Sequence, residues 1–235
     1  MNHSIQLPSG EKIHYILERR QRRTVGLKIT QEGLIVHAPK RIAQGYLESL
    51  IAEKANWILK KLEARIANQQ PAMQWQNGDQ LLLLGNTITL VTKQDNRSRA
   101  IEYTPGFLQI AMPNHDEPSA VARKVLQWYK KQALNDFSRR LSLFATKLGV
   151  PTPALFLSNA RSRWGSCNSK KEIRLNWRLL QAPPHIINYV VCHELAHLKE
   201  MNHSANFWAV VASIFPEYKA AEKELKTWSP KLHVI

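Results

Sequence analysis

Five consecutive residues, His193-Glu194-Leu195-Ala196-His197, carry the densest chemistry in the chain, and His203 follows six positions after the second histidine. Positions i and i+4 of a helix share one face, so the two imidazoles of the pentad point the same way. Two imidazoles so placed can share one Zn²⁺ at roughly 2.0–2.1 Å each. Glu194 follows the first ligand directly, where its carboxylate can reach a metal-bound water and act as general base. His203 offers a third neutral nitrogen and leaves a fourth position open for water or substrate, as a catalytic zinc needs. The bland alternative is an amphipathic helix whose histidines only hydrogen-bond, and three histidines with a glutamate at this spacing argue against it. A purely structural zinc closes with four protein ligands, mostly cysteines. Cys192, one residue from His193, points elsewhere around the helix.

The elements that must position these groups are legible on either side. Pro183 and Pro184 suit the first turn of a helix, where a missing N–H costs little, and Ile186, Ile187, Val190 and Val191 supply an apolar stripe at helical spacing. That helix is buried on one side and carries its His and Glu late in its run. After His203, Ser204 can cap a short helix over 205–215 bearing Phe207, Trp208 and Val211 as packing residues. Pro216 closes it, and a last helix over 217–228 ends before Ser229-Pro230. His203 thus sits at a helix–helix corner, which fixes its approach to a metal.

Four stretches together carry a family resemblance: SRWGSC (Ser162–Cys167), LNWRLL (Leu175–Leu180), YVVCHELAHLKEMNHSANFW (Tyr189–Trp208) and Pro216-Glu217-Tyr218. They resemble the YgjP-like metallopeptidase domain, which is related to the SprT-like zinc peptidases. The resemblance covers nearly the whole chain, including Arg22-Arg23-Thr24 near the start. It implies a zincin fold with His193, His197 and His203 as ligands and Glu194 as base. It also implies that part of 158–179 is the strand beside the active-site helix, which takes extended substrate by backbone pairing. By the same resemblance Arg163 is the candidate positive group near a developing oxyanion; an Arg163 that pairs with a carbonyl or carboxylate is the structural reading. Metzincins share the His197-to-His203 spacing, but Glu200 stands where they have glycine, so the turn is expected to place Asn202 in a left-handed conformation.

The fold expected is α+β: a zincin-like catalytic domain over 118–235, preceded by a β-rich N-terminal part over 1–117 with one long helix, packed on it. In the N-terminal part, 5–17 and 24–37 read as strands turning at Ser9-Gly10 and Glu32-Gly33, with Val25, Leu27, Ile29, Leu34 and Val36 alternating. A helix from about Gln44 to Asn68 follows, striped by Leu47, Leu50, Ile51, Ile58, Leu62 and Ile66, with Trp57 nearby, and Gln69-Gln70-Pro71 ends it. Further strands are expected at 80–84, 86–92 and 100–111, punctuated by Gly78-Asp79, Gly85-Asn86 and Pro105-Gly106. A helix over 119–148 opens the catalytic half, with Val121, Val125, Trp128, Tyr129, Leu134, Phe137, Leu141 and Phe144 inward and Lys130, Lys131, Arg139 and Arg140 as a solvated face. Gly149 stops it. Strands at 154–158 and 172–179 lead to the pentad helix, and Trp164 and Trp177 read as core. No internal repeat shows in the sequence.

The net charge is +15 at pH 7, and residues 118–235 hold 18 of the 33 basic but only 7 of the 18 acidic residues. Such an excess attracts polyanions without sequence preference, so nonspecific nucleic acid is a candidate partner beside a peptide or protein substrate. The run Glu18-Arg19-Arg20-Gln21-Arg22-Arg23 reads as a solvated turn or as a phosphate contact. No apolar run spans a bilayer, the first residues lack a signal-peptide core, and Cys167 and Cys192 are too few for a disulfide scaffold. A cytoplasmic protein without membrane association is expected, its oligomeric state left open. The function expected is that of a zinc metallopeptidase. Its rivals are a nucleic-acid- or protein-binding module with a vestigial or structural zinc site, and hydrolysis of a non-peptide amide. An intact Glu194 favours the enzyme, because a structural zinc has no use for that carboxylate.

Overall fold

The computed structural model describes residues 2–30, 32–67, 73–97 and 100–235. The chain divides into two compact units, Met1–Gln69 and Gln70–Ile235. The first unit holds strands β1 (Asn2–Gln6), β2 (Lys12–Arg20), β3 (Gly26–Thr30) and β4 (Gly33–Pro39) in the order β1-β2-β4-β3. Two antiparallel hairpins are joined here through a parallel β2–β4 pair. Leu34, Val36 and Ala38 alternate to the buried face of β4 and meet Leu47, Ile51 and Ile58 from two helices, α1 (Gln44–Glu53) and α2 (Ala55–Ala67). The sequence predicts one helix over this stretch. Lys54 breaks it with φ −95° and ψ 9°, yet the apolar residues keep their phase across the break, so their periodicity conceals it. Trp57 is exposed; the side chain of Ile66 and the expected stop at Gln69-Gln70-Pro71 lie outside the described residues. The arginine run is part of this unit's local structure: Arg19 donates from Nη1 to the carbonyls of Pro39, Lys40 and Ile42, and Arg20 pairs with Glu18.

The second unit opens with β5 (Gln80–Leu83), β6 (Asn86–Gln94), β7 (Ile101–Thr104) and β8 (Phe107–Met112), ordered β5-β6-β8-β7 around a parallel β6–β8 pair. The two four-stranded sheets therefore share one plan, a repeat that the sequence hides. The division expected at 117/118 moves to Gln70, and the packing gives the reason. Leu81, Ile88, Leu90, Leu108 and Ile110 of this sheet share one core with Val121, Val125, Tyr129 and Phe137.

Those last residues lie on α3 (Pro118–Leu148), which ends as expected at Gly149 in the left-handed region, φ 70°. Two expectations for α3 fail. Leu134 is exposed while its neighbour Ala133 is buried, and Arg140 is buried, 7% exposed, instead of solvated. A third sheet combines β9 (Leu155–Ser158), β10 (Gly165–Cys167) and β11 (Ile173–Asn176) in the order β10-β11-β9, leaving β10 at the edge. The strand predicted over 172–179 stops at Asn176, whose Oδ1 accepts from the Arg178 N–H and turns the chain into a 3₁₀ turn, Trp177–Gln181. Helices α4 (Pro184–Ala196), α5 (Ala205–Ile214) and α6 (Tyr218–Leu232) complete the unit. The last runs past the stop expected before Ser229-Pro230. Leu232 is fully buried beyond the proline, and that burial outweighs the hydrogen bond Pro230 cannot donate. The class is α+β, as the sequence indicated.

Candidate metal centre

Helix α4 carries the pentad, and its entry is fixed from two sides. The β5–β6 hairpin turns through Leu84 and Gly85, both at positive φ, and their N–H groups donate to Leu180 and Gln181 carbonyls at 2.9 and 3.0 Å. A Cβ on Gly85 would come within 3.1 Å of the Pro183 backbone, so the tip docks closely on the residue preceding α4. From the other side Arg140 donates Nε to Asp136 at 2.6 Å and Nη1 to the Pro184 carbonyl at 3.3 Å and to Asn188 Oδ1. Ile186, Ile187, Val190 and Val191 bury the inner face, as their spacing predicted.

His193 lies in the last turn of α4 and His197 is its C-terminal cap residue. The chain then turns with i→i+3 bonds, Leu198 to Leu195 and Lys199 to Ala196. Asn202 is not in the left-handed region expected of it; its side chain instead accepts from the Ser204 N–H at 3.2 Å. Ser204 caps α5, accepting from the Phe207 N–H. His203 is thereby returned to the pentad. The three ring centroids form a near-equilateral triangle of 5.2, 5.0 and 4.9 Å, and one nitrogen from each ring lies within 4.8 Å of the others. Phe207, fully buried, touches all three rings at 4.6–5.0 Å between centroids and makes the apolar floor.

The protonation states suit a cation. Burial, with His197 and His203 adding to it, pushes the His193 pKa down to about 4, which keeps its ring neutral with a lone pair available. His197 is lowered too, mainly by burial. Its Nδ1 lies 3.1 Å from the Glu200 carbonyl, which fixes the proton on that nitrogen and leaves Nε2 as the ligating atom. His193 Nε2 and His203 Nε2 face each other at 3.1 Å. Two neutral nitrogens at that distance need a proton or a metal between them. The donor set therefore fits a borderline-soft divalent ion.

Glu194 is 5% exposed and raised to about 8, chiefly by burial, with Arg163 acting in the opposite direction. It lies under the edge strand: a Cβ at Gly165 would stand 2.4 Å from its Oε1. Only glycine permits this approach. Sequence reasoning assigned Glu194 and the three histidines to one site, and the fold brings them together. Arg163 lies on an exposed stretch just before β10 and acts on Glu194 through its charge. The edge strand β10 lies within 158–179, where the resemblance implied a strand, but residue patterning did not locate it because its three small residues lack any apolar alternation; the glycine inside it was the available signal. Trp177 is core, as expected. Trp164 is half-buried, donating Nε1 to Ser229 and stacking on His233 at 4.7 Å.

A helix-borne HExxH with a third histidine on the following corner, a buried glutamate beneath an edge strand and an apolar floor define a metallopeptidase-type centre. The chain belongs to the YgjP-like metallopeptidase domain family, whose model matches residues 23–228. A curated relative, the UTP pyrophosphatase of Escherichia coli (strain K12), is 32% identical over 116 residues, which cover 46% of this chain and 70% of that protein. The metallopeptidase zymogen abylysin of Pyrococcus abyssi is 27% identical in the part compared, covering 39% of this chain and 92% of its own, with a TM-score of 0.37. The jannalysin zymogen of Methanocaldococcus jannaschii matches the same shares at 22% identity and a TM-score of 0.34. Among the described residues no helix is long and apolar enough to cross a membrane.

Proposed function

We propose that this chain is a zinc-dependent hydrolase of peptide bonds, with His193, His197 and His203 as the ligands and Glu194 as general base. The observation that carries the reading is the triangle of ring nitrogens within 4.8 Å of one another with a buried carboxylate on the same helix turn. A zinc ion held there supplies a Lewis acid that lowers the pKa of a water towards about 7 and polarises the scissile carbonyl. Glu194 takes the proton of the attacking water at a carboxylate oxygen and passes it to the leaving amine. Edge strand β10 supports the reading, because its outer side offers backbone groups to an extended substrate. Arg163, whose charge acts on Glu194, is the group we assign to steady negative charge on the reacting oxygen.

A second reading is hydrolysis of a phosphoanhydride in a nucleoside triphosphate, and the observation in its favour is the relative named UTP pyrophosphatase. The same water activation serves both bonds. The test is elemental analysis for zinc, followed by parallel assays of a proteome-derived peptide library and of nucleoside triphosphates, each with wild type and Glu194→Gln. About one zinc per chain and peptide cleavage that Glu194→Gln abolishes supports the first reading. Triphosphate hydrolysis lost in the same variant, with no peptide cleaved, replaces it by the second. Wild-type zinc affinity in His203→Ala removes the third ligand from both.

A further inference from the structure

In the sheet β5-β6-β8-β7 the last strand, β7, pairs with β8 alone and leaves an open edge. The Ala111 N–H bonds to the Ala100 carbonyl at 3.1 Å, and opposed residues of an antiparallel ladder alternate between bonded and non-bonded pairs. Glu102 and Thr104 therefore bond to β8, while the N–H and C=O groups of Ile101 and Tyr103 point outward. Among the described residues no hydrogen bond takes up those four groups. The side chains of Ile101 and Tyr103 turn towards α3, and the Tyr103 ring, 47% exposed, lies 6.2 Å from that of Trp128.

Two cavities between β7 and α3 meet at Trp128 and Gln132. The one beside Ile101, about 270 Å³, is bordered by Lys124 and Lys131. The one beside Tyr103, about 350 Å³, is walled by Leu83, Leu84 and Leu180. Asp136, the one acidic residue of α3, is taken by Arg139 and Arg140. Lys124 and Lys131 form no ion pair among the described residues.

Alternating outward donors and acceptors are matched by another extended backbone. An antiparallel strand added here would stand about 4.8 Å outside β7. Two of its residues, two positions apart, would exchange N–H···O bonds with Tyr103 and Ile101, and their side chains would turn to α3. The first meets the leucine-walled cavity and the second meets two lysines without a counter-charge. A DNA backbone offers acceptors and no donor, so it would leave the Ile101 and Tyr103 carbonyls unmatched. We propose that the β7 edge docks an extended segment of another protein with the pattern large apolar residue, any residue, Asp or Glu, as a fifth strand of this sheet. The proposal does not depend on which bond the metal centre hydrolyses.

The test is fluorescence anisotropy with a short, end-blocked, labelled peptide in which Leu and Glu stand two positions apart among Thr and Val. It is titrated with the full-length, zinc-loaded Glu194→Gln protein, so that the probe is not cut. Lys124→Gln and Lys131→Gln are each expected to weaken binding about threefold, and together about tenfold, with Tm and zinc content unchanged. N-methylation of the probe at Leu and Glu removes both of its donors to β7 and should weaken binding at least tenfold. Replacing the probe's Leu by Ser should do the same. A probe that does not bind below about 1 mM overturns the proposal. Unchanged affinity of the N-methylated probe overturns it as well, as does unchanged affinity in the double lysine variant. A short oligothymidylate that binds more tightly than the probe, with the same lysine dependence, overturns it in favour of a nucleic-acid groove.

Discussion

Gly165→Ala isolates the base from the metal. The added Cβ would stand 2.4 Å from Glu194 Oε1, 2.6 Å from its Cγ and 2.7 Å from its Cδ, where unstrained contacts between heavy atoms are about 3.5–4.0 Å. Glu194 must therefore withdraw by about 1 Å, and at 5% exposure it has no open solvent to swing into. Misplacing a reacting group by about 1 Å costs on the order of 10²-fold in rate. Overpacking of this kind also costs about 1–3 kcal/mol of stability, a fall in Tm of roughly 2–12 °C for a unit of this size. The three heavy atoms nearest the new methyl all belong to Glu194, so the histidines keep their places. The assay is kcat on whichever substrate the paired screens identify, with zinc stoichiometry and Tm measured on the same preparation. A kcat within threefold of wild type refutes the argument. So does loss of zinc together with activity, because the strand, and not the carboxylate, would then have moved.

Arg140→Met removes the guanidinium that ties α3 to the start of α4 and strands Asp136, 14% exposed at its side chain; a loss of about 3–5 kcal/mol is expected, and a Tm shift under about 2 °C contradicts it. Phe207→Leu opens gaps under all three imidazoles and should weaken zinc by about tenfold, read by competition with a chelator; unchanged affinity removes Phe207 from the site's support. The metal-free protein should show two opposed pH effects. His193, depressed to about 4, and His197, also lowered, bind fewer protons folded than unfolded, so their contribution is lost as pH falls below about 6.5. Glu194, raised from 4.5 to about 8, binds more protons folded, so its contribution is lost as pH rises through that interval. Above pH 6.5 the carboxylate acts alone, and the urea midpoint should fall between pH 6.5 and 8; a flat midpoint there refutes the assignment.

The residues of the candidate metal centre were legible because their spacing is dictated locally: i and i+4 on one helix turn, a capped corner six residues on. The ends of α3 were legible for the same reason, Pro118 and Gly149 being local start and stop signals. What escaped is set by distant partners. β10 exists because Gly165, Ser166 and Cys167 pair with Leu175, Arg174 and Ile173, and apart from the glycine nothing in three small residues hints at that pairing. Arg140 looks like surface charge until Pro184 and Asn188, more than forty residues away, supply its acceptors. The repeated sheet plan is hidden because only the buried alternation recurs, Leu34 and Val36 in one copy and Leu108 and Ile110 in the other. Branched aliphatic residues fill such positions in any sheet.

The same division between local and distant explains how one family can carry a metallopeptidase description and contain a relative named for a pyrophosphate bond. On the reading proposed above, three imidazoles and a carboxylate on α4 and its corner would prepare a water, and a water so prepared attacks a carbonyl carbon or a phosphorus alike. Which of the two it meets is decided by groups on other elements. Backbone along the open side of β10 suits a peptide, and charged groups that act on Glu194, Arg163 among them, bear on a phosphate. Because the metal ligands and these surroundings come from separate stretches of chain, the surroundings can change while the pentad stays. Substrate choice should therefore respond to substitutions at Arg163, and water activation to substitutions at Glu194. A variant series in which the two properties move together would show that this separation is false.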